Sequence, residues 1–201
     1  MPSMKLAEEI RRRKETGSYP RQEQFSPEKL DLGCGQNKRE GFTGIDFVEG
    51  EGIDIVHDLF TFPWPIKDDC VSEVWCSHFF EHIPGMLRGK WMNELYRVMK
   101  PEAKATIIVP HGNSNRAAQD FTHAWPPVVP SSFYYFNKGW REANKLTHGH
   151  YALTCDFDFG WSDAVTPDWF MRAEEARAFA IRHYHNVADD LQVFLTKRAP
   201  S

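Results

Sequence analysis

The sequence predicts an α/β protein, and three features predict it. Short runs rich in Val, Ile and Leu, closed by Gly, Asp or Pro, read as buried strands: KLDL, TGIDF, GIDIV, VSEVWCS and AKATIIVP. These runs are apolar almost throughout rather than alternating, which suits a parallel sheet covered on both faces. A helical stripe lies between the last two, and strand–helix–strand alternation is the pattern of an α/β sandwich.

Taken in order, residues 1–26 form a polar extension. A short helix is expected over residues 5–14, where the arginines at 11–13 make a solvated face. Residues 27–201 form one domain. Its first strand, KLDL, runs into Gly33-Cys34-Gly35, and TGIDF and GIDIV follow closely. VSEVWCS is the fourth strand. In LRGKWMNELYRVMKP, the residues Leu87, Trp91, Leu95 and Val98 recur every four, four and three positions. They make one apolar helix face, which Lys100-Pro101 ends. AKATIIVP is the fifth strand. Residues 121–161 carry 11 of the 28 aromatic residues together with His123, His148 and His150. That composition fits an aromatic-lined cap over a pocket or rings that complete a small core. A substrate-side segment is expected over about residues 111–161. PDWFMRAEEARAFAIRHYHN reads as a helix with a stripe of Phe170, Ala173, Ala176, Phe179 and Ala180, and DLQVFLTKR as a late strand.

The bulk properties exclude several classes. In 201 residues, 41% are hydrophobic and 26% charged, ordinary values for a water-soluble domain. Mean hydropathy is −0.54, and no stretch approaches the roughly 20 apolar residues of a spanning helix. The N-terminus lacks the apolar core of a signal peptide, so a cytoplasmic protein is expected. A net charge of −4 excludes a whole-protein basic field as a reason to bind nucleic acid. Cys34, Cys70, Cys76 and Cys155 contain no CxxC pair, and reduced thiols are expected.

The glycine turn narrows the ligand. Glycines at a strand end let the backbone turn tightly and approach a ligand. Dinucleotides and S-adenosylmethionine both use such a turn. The dinucleotide fingerprint needs a third glycine where this chain has Lys38, and a helix directly after the loop. About eight residues separate Gly35 from the next strand, too few for a crossover helix. Two acids then close successive strands, Asp46 and Asp58. Ligands in a parallel sheet bind outside the carboxyl ends of its strands. A carboxylate after the second strand can accept both ribose hydroxyls, and one after the third can accept the exocyclic amine of adenine. Phe47 and Leu59 could sandwich the purine.

With these residues the sequence resembles the class I S-adenosylmethionine-dependent methyltransferases. LDLGCG is similar to the family's nucleotide loop, GIDF to its ribose-binding acid and HDLF to its adenine-contacting acid. VSEVWCSHFFEHI is similar to its fourth strand and the loop beyond, and LYRVMKPEAKATIIVP to its helix, turn and fifth strand. The resemblance covers about residues 28–110. QDFTHAWPPVVPSSFYYF is similar to a substrate-side segment of small members. It implies a Rossmann-like sheet of seven strands, mostly parallel with an antiparallel last strand, and helices on both faces. The sixth strand is expected near residues 151–157 and the seventh at 191–197. It implies S-adenosyl-L-methionine as cofactor, with contacts from Asp31, Gly33, Cys34, Gly35, Asn37, Lys38, Asp46, Phe47, Asp58, Leu59 and Ser77. The chain departs from the family at Asn37, which replaces the third loop glycine, and in its short first crossover. Asn37 could still contact the methionine carboxylate, and Lys38 could pair with it.

The loop at 78–82 reads His-Phe-Phe-Glu-His, the string of inverted zinc peptidases. That chemistry needs a regular helix and a third ligand, and Pro84 restricts Ile83. No metal is assigned from the sequence. A metal assisting the transfer would draw on His78, His82, His111 and His123. Methyl transfer from a sulfonium needs chiefly proximity and orientation. A hydroxyl acceptor benefits from a base, and His suits neutral pH. The candidate catalytic residues are His78, His111 and Glu81. His82, Asp120, His123, Trp125 and Tyr135 are the candidate acceptor contacts. The expected acceptor is a small molecule or saccharide, methylated on oxygen or nitrogen. The alternatives are a nucleic-acid methyltransferase and a non-catalytic scaffold of this fold.

Overall fold

The structure is a computed structural model that describes residues 24–146 and 153–199. Strand β1, Lys29–Leu32, lies in the middle of the sheet, with Leu30 and Leu32 fully buried. β2 is Thr43–Asp46, β3 Ile55–Val56, β4 Val71–Ser77, β5 Met99–Pro110, β6 Phe157–Val165 and β7 Ala188–Lys197. They form one seven-stranded sheet in the order β3-β2-β1-β4-β5-β7-β6. β1 to β5 pair in parallel, whereas β7 runs antiparallel to both β5 and β6. The expected mostly parallel sheet with an antiparallel last strand is therefore present.

Helix α1, Gly85–Val98, crosses from β4 to β5. Trp91, Leu95 and Val98 are fully buried, as their spacing predicts, and Leu87 is half-buried. Trp64 and Phe80 meet Trp91 edge-on, with ring centroids 5.4 Å away in each case. Shorter helices follow at Asn115–Gln119 (α2), Lys138–Ala143 (α3), Pro167–Phe170 (α4) and Glu174–His183 (α5). No helix in the described residues joins β1 to β2, which confirms the short first crossover.

Two expectations are corrected. The sixth strand begins at Phe157, where the sequence places its end, and runs to Val165. It is an edge strand with only Phe157 buried, so it presents no apolar run to find. The long helix expected from Pro167 is split into α4 and α5. Ala173 stands at the N-terminal boundary of α5 without a side-chain cap, and two acids, Glu174 and Glu175, occupy its favourable first turn. Of the predicted stripe only Ala180 is buried, while Phe170 and Phe179 are exposed. The aromatic segment completes the core only in part, since Tyr134, Tyr135 and Trp161 are exposed. Phe133 is fully buried and Phe136 nearly so, and Phe133 stacks on Phe80 at 5.7 Å. Phe121 and Trp125 remain exposed. The helix expected over residues 5–14, His148, His150, and Tyr151 at the start of the expected sixth strand lie outside the described residues.

All four cysteines are free. No helix in the described residues is long and apolar enough to cross a membrane.

Buried histidines make a first prediction. Burial holds both His57 and His111 below the usual imidazole range. The unfolded chain takes up those protons near pH 6.5, and the folded chain resists doing so. Stability contributed by their neutral forms is thus lost as pH falls. His78 has the opposite sign, because contact with Glu81 raises it. Melting temperature should fall between about pH 7.5 and about pH 6, and His57→Gln should shallow that fall. An identical slope in the variant would contradict the assignment to His57.

Candidate functional site

The strand order reverses at β1, whose neighbours are β2 on one side and β4 on the other. Such a switch point opens a crevice at the carboxyl ends of the strands. The crevice is a cavity of about 490 Å³ lined by Gly33, Asp46, Phe47, Asp58, Leu59, Phe60, Phe79 and His82. Every lining residue ends one of β1 to β4 or lies in the loop that follows it. That volume is in the range of small-molecule and cofactor sites.

Gly33 has φ of +68° and lies beneath the Phe79 ring. A Cβ built on it would come within 2.4 Å of that ring. The bare backbone is thus required twice, for the turn and for the ring that covers it. Asp46 spans the turn: Oδ2 accepts from the Gly35 amide at 2.9 Å and Oδ1 from the Val48 amide at 3.3 Å. Asp58 shapes its own turn, where Oδ1 accepts from the Phe60 amide at 2.9 Å and Oδ2 from the Thr61 hydroxyl at 3.1 Å. A carboxylate offers about four lone-pair sites, so each acid keeps acceptor capacity for a ligand.

The remaining loop residues play supporting parts. Asp31 is 2% exposed and accepts from the Arg39 amide at 2.8 Å. Burial pushes its carboxyl up. Asn37 closes the turn, its amide donating to the Cys34 carbonyl at 3.1 Å. Burial pushes the Cys34 thiol up to about 11 and that of Cys76 well above its usual value. Neither is a nucleophile at neutral pH. Ser77 ends β4 opposite Ile108. Lys38 is engaged elsewhere, donating to both oxygens of Asp54 at 3.1 and 2.8 Å. That pair competes with the expected pairing of Lys38 with a methionine carboxylate. Its pair is partly exposed, so Lys38→Met should cost at most about 1 kcal/mol. It should also leave S-adenosylhomocysteine affinity within about twofold. A tenfold loss on calorimetric titration would contradict this placement.

The histidine string lies in a loop and a 3₁₀ turn at Phe80–His82, not in the regular helix a zinc peptidase needs. His78 has φ of +55°. Its Nδ1 is 3.4 Å from Glu81 Oε1 and its Nε2 is 3.9 Å from Asp190 Oδ2. His82 reaches the cavity, and its ring is 4.9 Å from that of His123. The structure thus brings His78, Glu81, His82 and His123 together. Asp120 stands beside His123, with Oδ2 3.9 Å from Nε2. His111 stands apart and is 4% exposed. Its Nδ1 accepts from the Asn113 amide at 3.1 Å, and its Nε2 faces Asp163 at 3.5 Å. Trp125 is exposed next to Pro126. Tyr135 packs edge-on against Trp140, outside the cavity lining.

Sequence reasoning missed Phe60, Phe79 and Arg88. Arg88 is 7% exposed and donates to the carbonyls of Ile83, Ala124 and Pro126 at 3.1, 3.1 and 2.7 Å. It staples the segment bearing His123 onto α1, and the Ala124 amide donates to the Glu81 carbonyl at 2.8 Å.

No protein-family model matches the chain, and no curated protein matches it. Solved structures do. A methyltransferase from Archaeoglobus fulgidus described as dependent on S-adenosylmethionine is 19% identical, over 97% of this chain and 95% of that one, with a TM-score of 0.58. A sarcosine dimethylglycine methyltransferase assigned in Galdieria sulphuraria is 14% identical over 98% and 84%, with a TM-score of 0.52. The 1,6-didemethyltoxoflavin-N1-methyltransferase of Burkholderia thailandensis, solved with its substrate and S-adenosylhomocysteine, is 12% identical over 86% and 72%, also at 0.52. The strand order, the switch-point cavity and these likenesses together establish that the chain has the fold of the class I S-adenosylmethionine-dependent methyltransferases.

Proposed function

We propose that the protein transfers a methyl group from S-adenosylmethionine to a small-molecule or saccharide acceptor, on oxygen or nitrogen. The observation that carries this reading is the 490 Å³ cavity that joins Gly33, Asp46 and Asp58 at the switch point of the sheet. The residues fit the cofactor. Asp46 would accept the ribose hydroxyls and Asp58 the adenine amine. Phe47, Leu59 and Phe60 supply apolar walls, and Gly33 leaves room for close approach. When bound, the cofactor supplies an electrophilic methyl group on a sulfonium. The chain's own share is binding, orientation and proton removal. His78, at the end of β4, is the proposed base, and the Glu81 carboxylate stabilises its charged form. His111 is buried and bonded to its neighbours, so it is assigned a structural part. His82, His123, Asp120 and the exposed Trp125 form the proposed acceptor side. Small-molecule substrates in the Burkholderia and Galdieria names support an acceptor of that size. The cytoplasmic location expected from the sequence belongs to the same proposal.

The test is incubation with methyl-labelled S-adenosylmethionine and a panel of hydroxylated and aminated small molecules and saccharides. Label in an extractable product, with equal S-adenosylhomocysteine, is the expected result. Label in added RNA or DNA alone would favour the nucleic-acid reading instead.

A further inference from the structure

We propose that Glu81, His82 and His123 form a binding site for one divalent transition-metal ion, zinc foremost, at the edge of the cofactor cavity. One ligand atom from each of the three side chains lies within 4.8 Å of the other two. The set of two imidazoles and a carboxylate matches open zinc sites, which keep one position for a water or substrate oxygen.

Two further observations point to a cation. The first is Glu81. It is 5% exposed, and neither carboxylate oxygen has a hydrogen-bond partner. His78 Nδ1, at 3.4 Å, lacks hydrogen-bond geometry toward it. A buried carboxylate whose oxygens make no hydrogen bond is costly even beside the His78 ring, and a coordinated metal ion relieves that cost.

The second is the tautomer of each imidazole. His123 Nδ1 faces the Ala117 carbonyl at 3.1 Å, which can only accept, so Nδ1 carries the proton and Nε2 presents a lone pair. The Thr122 hydroxyl donates to Asp120 Oδ1 at 2.7 Å. It therefore accepts from His82 Nδ1 at 3.1 Å, shared with the Thr122 carbonyl at 3.3 Å. His82 is thus also protonated on Nδ1 with Nε2 free. Carbonyl and hydroxyl partners behind metal-binding histidines are the usual outer shell of such sites. Asp120 Oδ2 adds negative charge 3.9 Å from His123 Nε2.

His82 also lines the cavity, which sets the ion's open position toward the acceptor. The class of acceptor that fits is one presenting a hydroxyl or phenolic oxygen, whose acidity a divalent ion raises. This task rests on the methyl-transfer reading, whereas the binding of the ion does not.

The experiment is calorimetric titration of the tag-free, chelator-treated full chain with Zn²⁺, repeated with Glu81→Gln and His123→Ala. Cobalt is added separately to read its ligand-field absorption. S-adenosylhomocysteine is titrated into every variant in parallel. One equivalent of zinc in the wild type is expected, weakened at least about 100-fold in each variant, with S-adenosylhomocysteine affinity retained. Retention shows that the variants are folded. No stoichiometric zinc in the wild type would overturn the site, as would wild-type zinc affinity in both variants. Zinc binding without S-adenosylhomocysteine binding would uphold the site and count against the methyl-transfer reading.

Discussion

Asp46→Ala should weaken S-adenosylhomocysteine binding by about 100-fold or more, because each hydrogen bond to a charged acceptor contributes about 1.5–3 kcal/mol. Two ribose hydroxyls would donate to this carboxylate, so two such bonds are lost together. The substitution also frees the Gly35 and Val48 amides, which Asp46 now holds at 2.9 and 3.3 Å. The glycine turn then loses the strut that fixes it against β2. Binding therefore falls for two reasons, through lost contacts and through a looser cradle. Asp46→Asn separates them. Its carbonyl can still accept from Gly35, while the negative charge is gone. The asparagine variant should bind more tightly than the alanine variant and less tightly than the wild type. Wild-type affinity in Asp46→Ala would remove Asp46 from the site.

Gly33→Ala should destabilise the fold by about 3 kcal/mol. An alanine held at φ of +68° costs about 1–2 kcal/mol. The added methyl would lie 2.4 to 2.8 Å from three Phe79 carbons, and overpacking of that kind costs about 1–3 kcal/mol. For a chain of this length the loss corresponds to a melting temperature lower by about 6–12 °C. Phe79 has little room to yield. Its ring lies 6.4 Å from Trp91 and 5.8 Å from Phe60, and the open side is the cavity itself. A displaced ring would fill the space the cofactor needs, so affinity should fall with stability. Adding Phe79→Ala to Gly33→Ala removes the two ring contacts at 2.4 and 2.5 Å and leaves the Cβ contact at 2.8 Å and the backbone strain. Part of the cofactor affinity should then return. Equal melting temperatures for Gly33→Ala and wild type would contradict the close contact.

Much of the site was legible because its residues sit where a strand must end. Gly33, Asp46, Phe47, Asp58 and Leu59 each follow a short apolar run, and all line the cavity. Phe60 and Phe79 were not legible, because a phenylalanine beside a strand reads as core whether it covers a ligand or a neighbour. Arg88 was hidden for a related reason. An arginine on an amphipathic helix reads as solvent-facing, and only the fold reveals three backbone carbonyls awaiting it. The Lys38 partner was not legible, because Asp54 is folded back beside β2 and only the fold brings the two together. The sixth strand was misplaced because edge strands lack a continuous apolar run, and Phe157–Val165 is mostly exposed or half-buried. The meeting of Glu81 and His82 with His123 lay beyond local pattern. It depends on Arg88 and on the Ala124 amide folding one segment across another.

The central claim is that the cavity at the switch point binds S-adenosylmethionine. Calorimetric titration of the purified full chain with S-adenosylhomocysteine, after removal of any co-purified ligand, tests it most directly. The account predicts one site with micromolar affinity, about −8 kcal/mol, lost in Asp46→Ala. A folded, ligand-free protein that gives no binding heat and no thermal shift would contradict it.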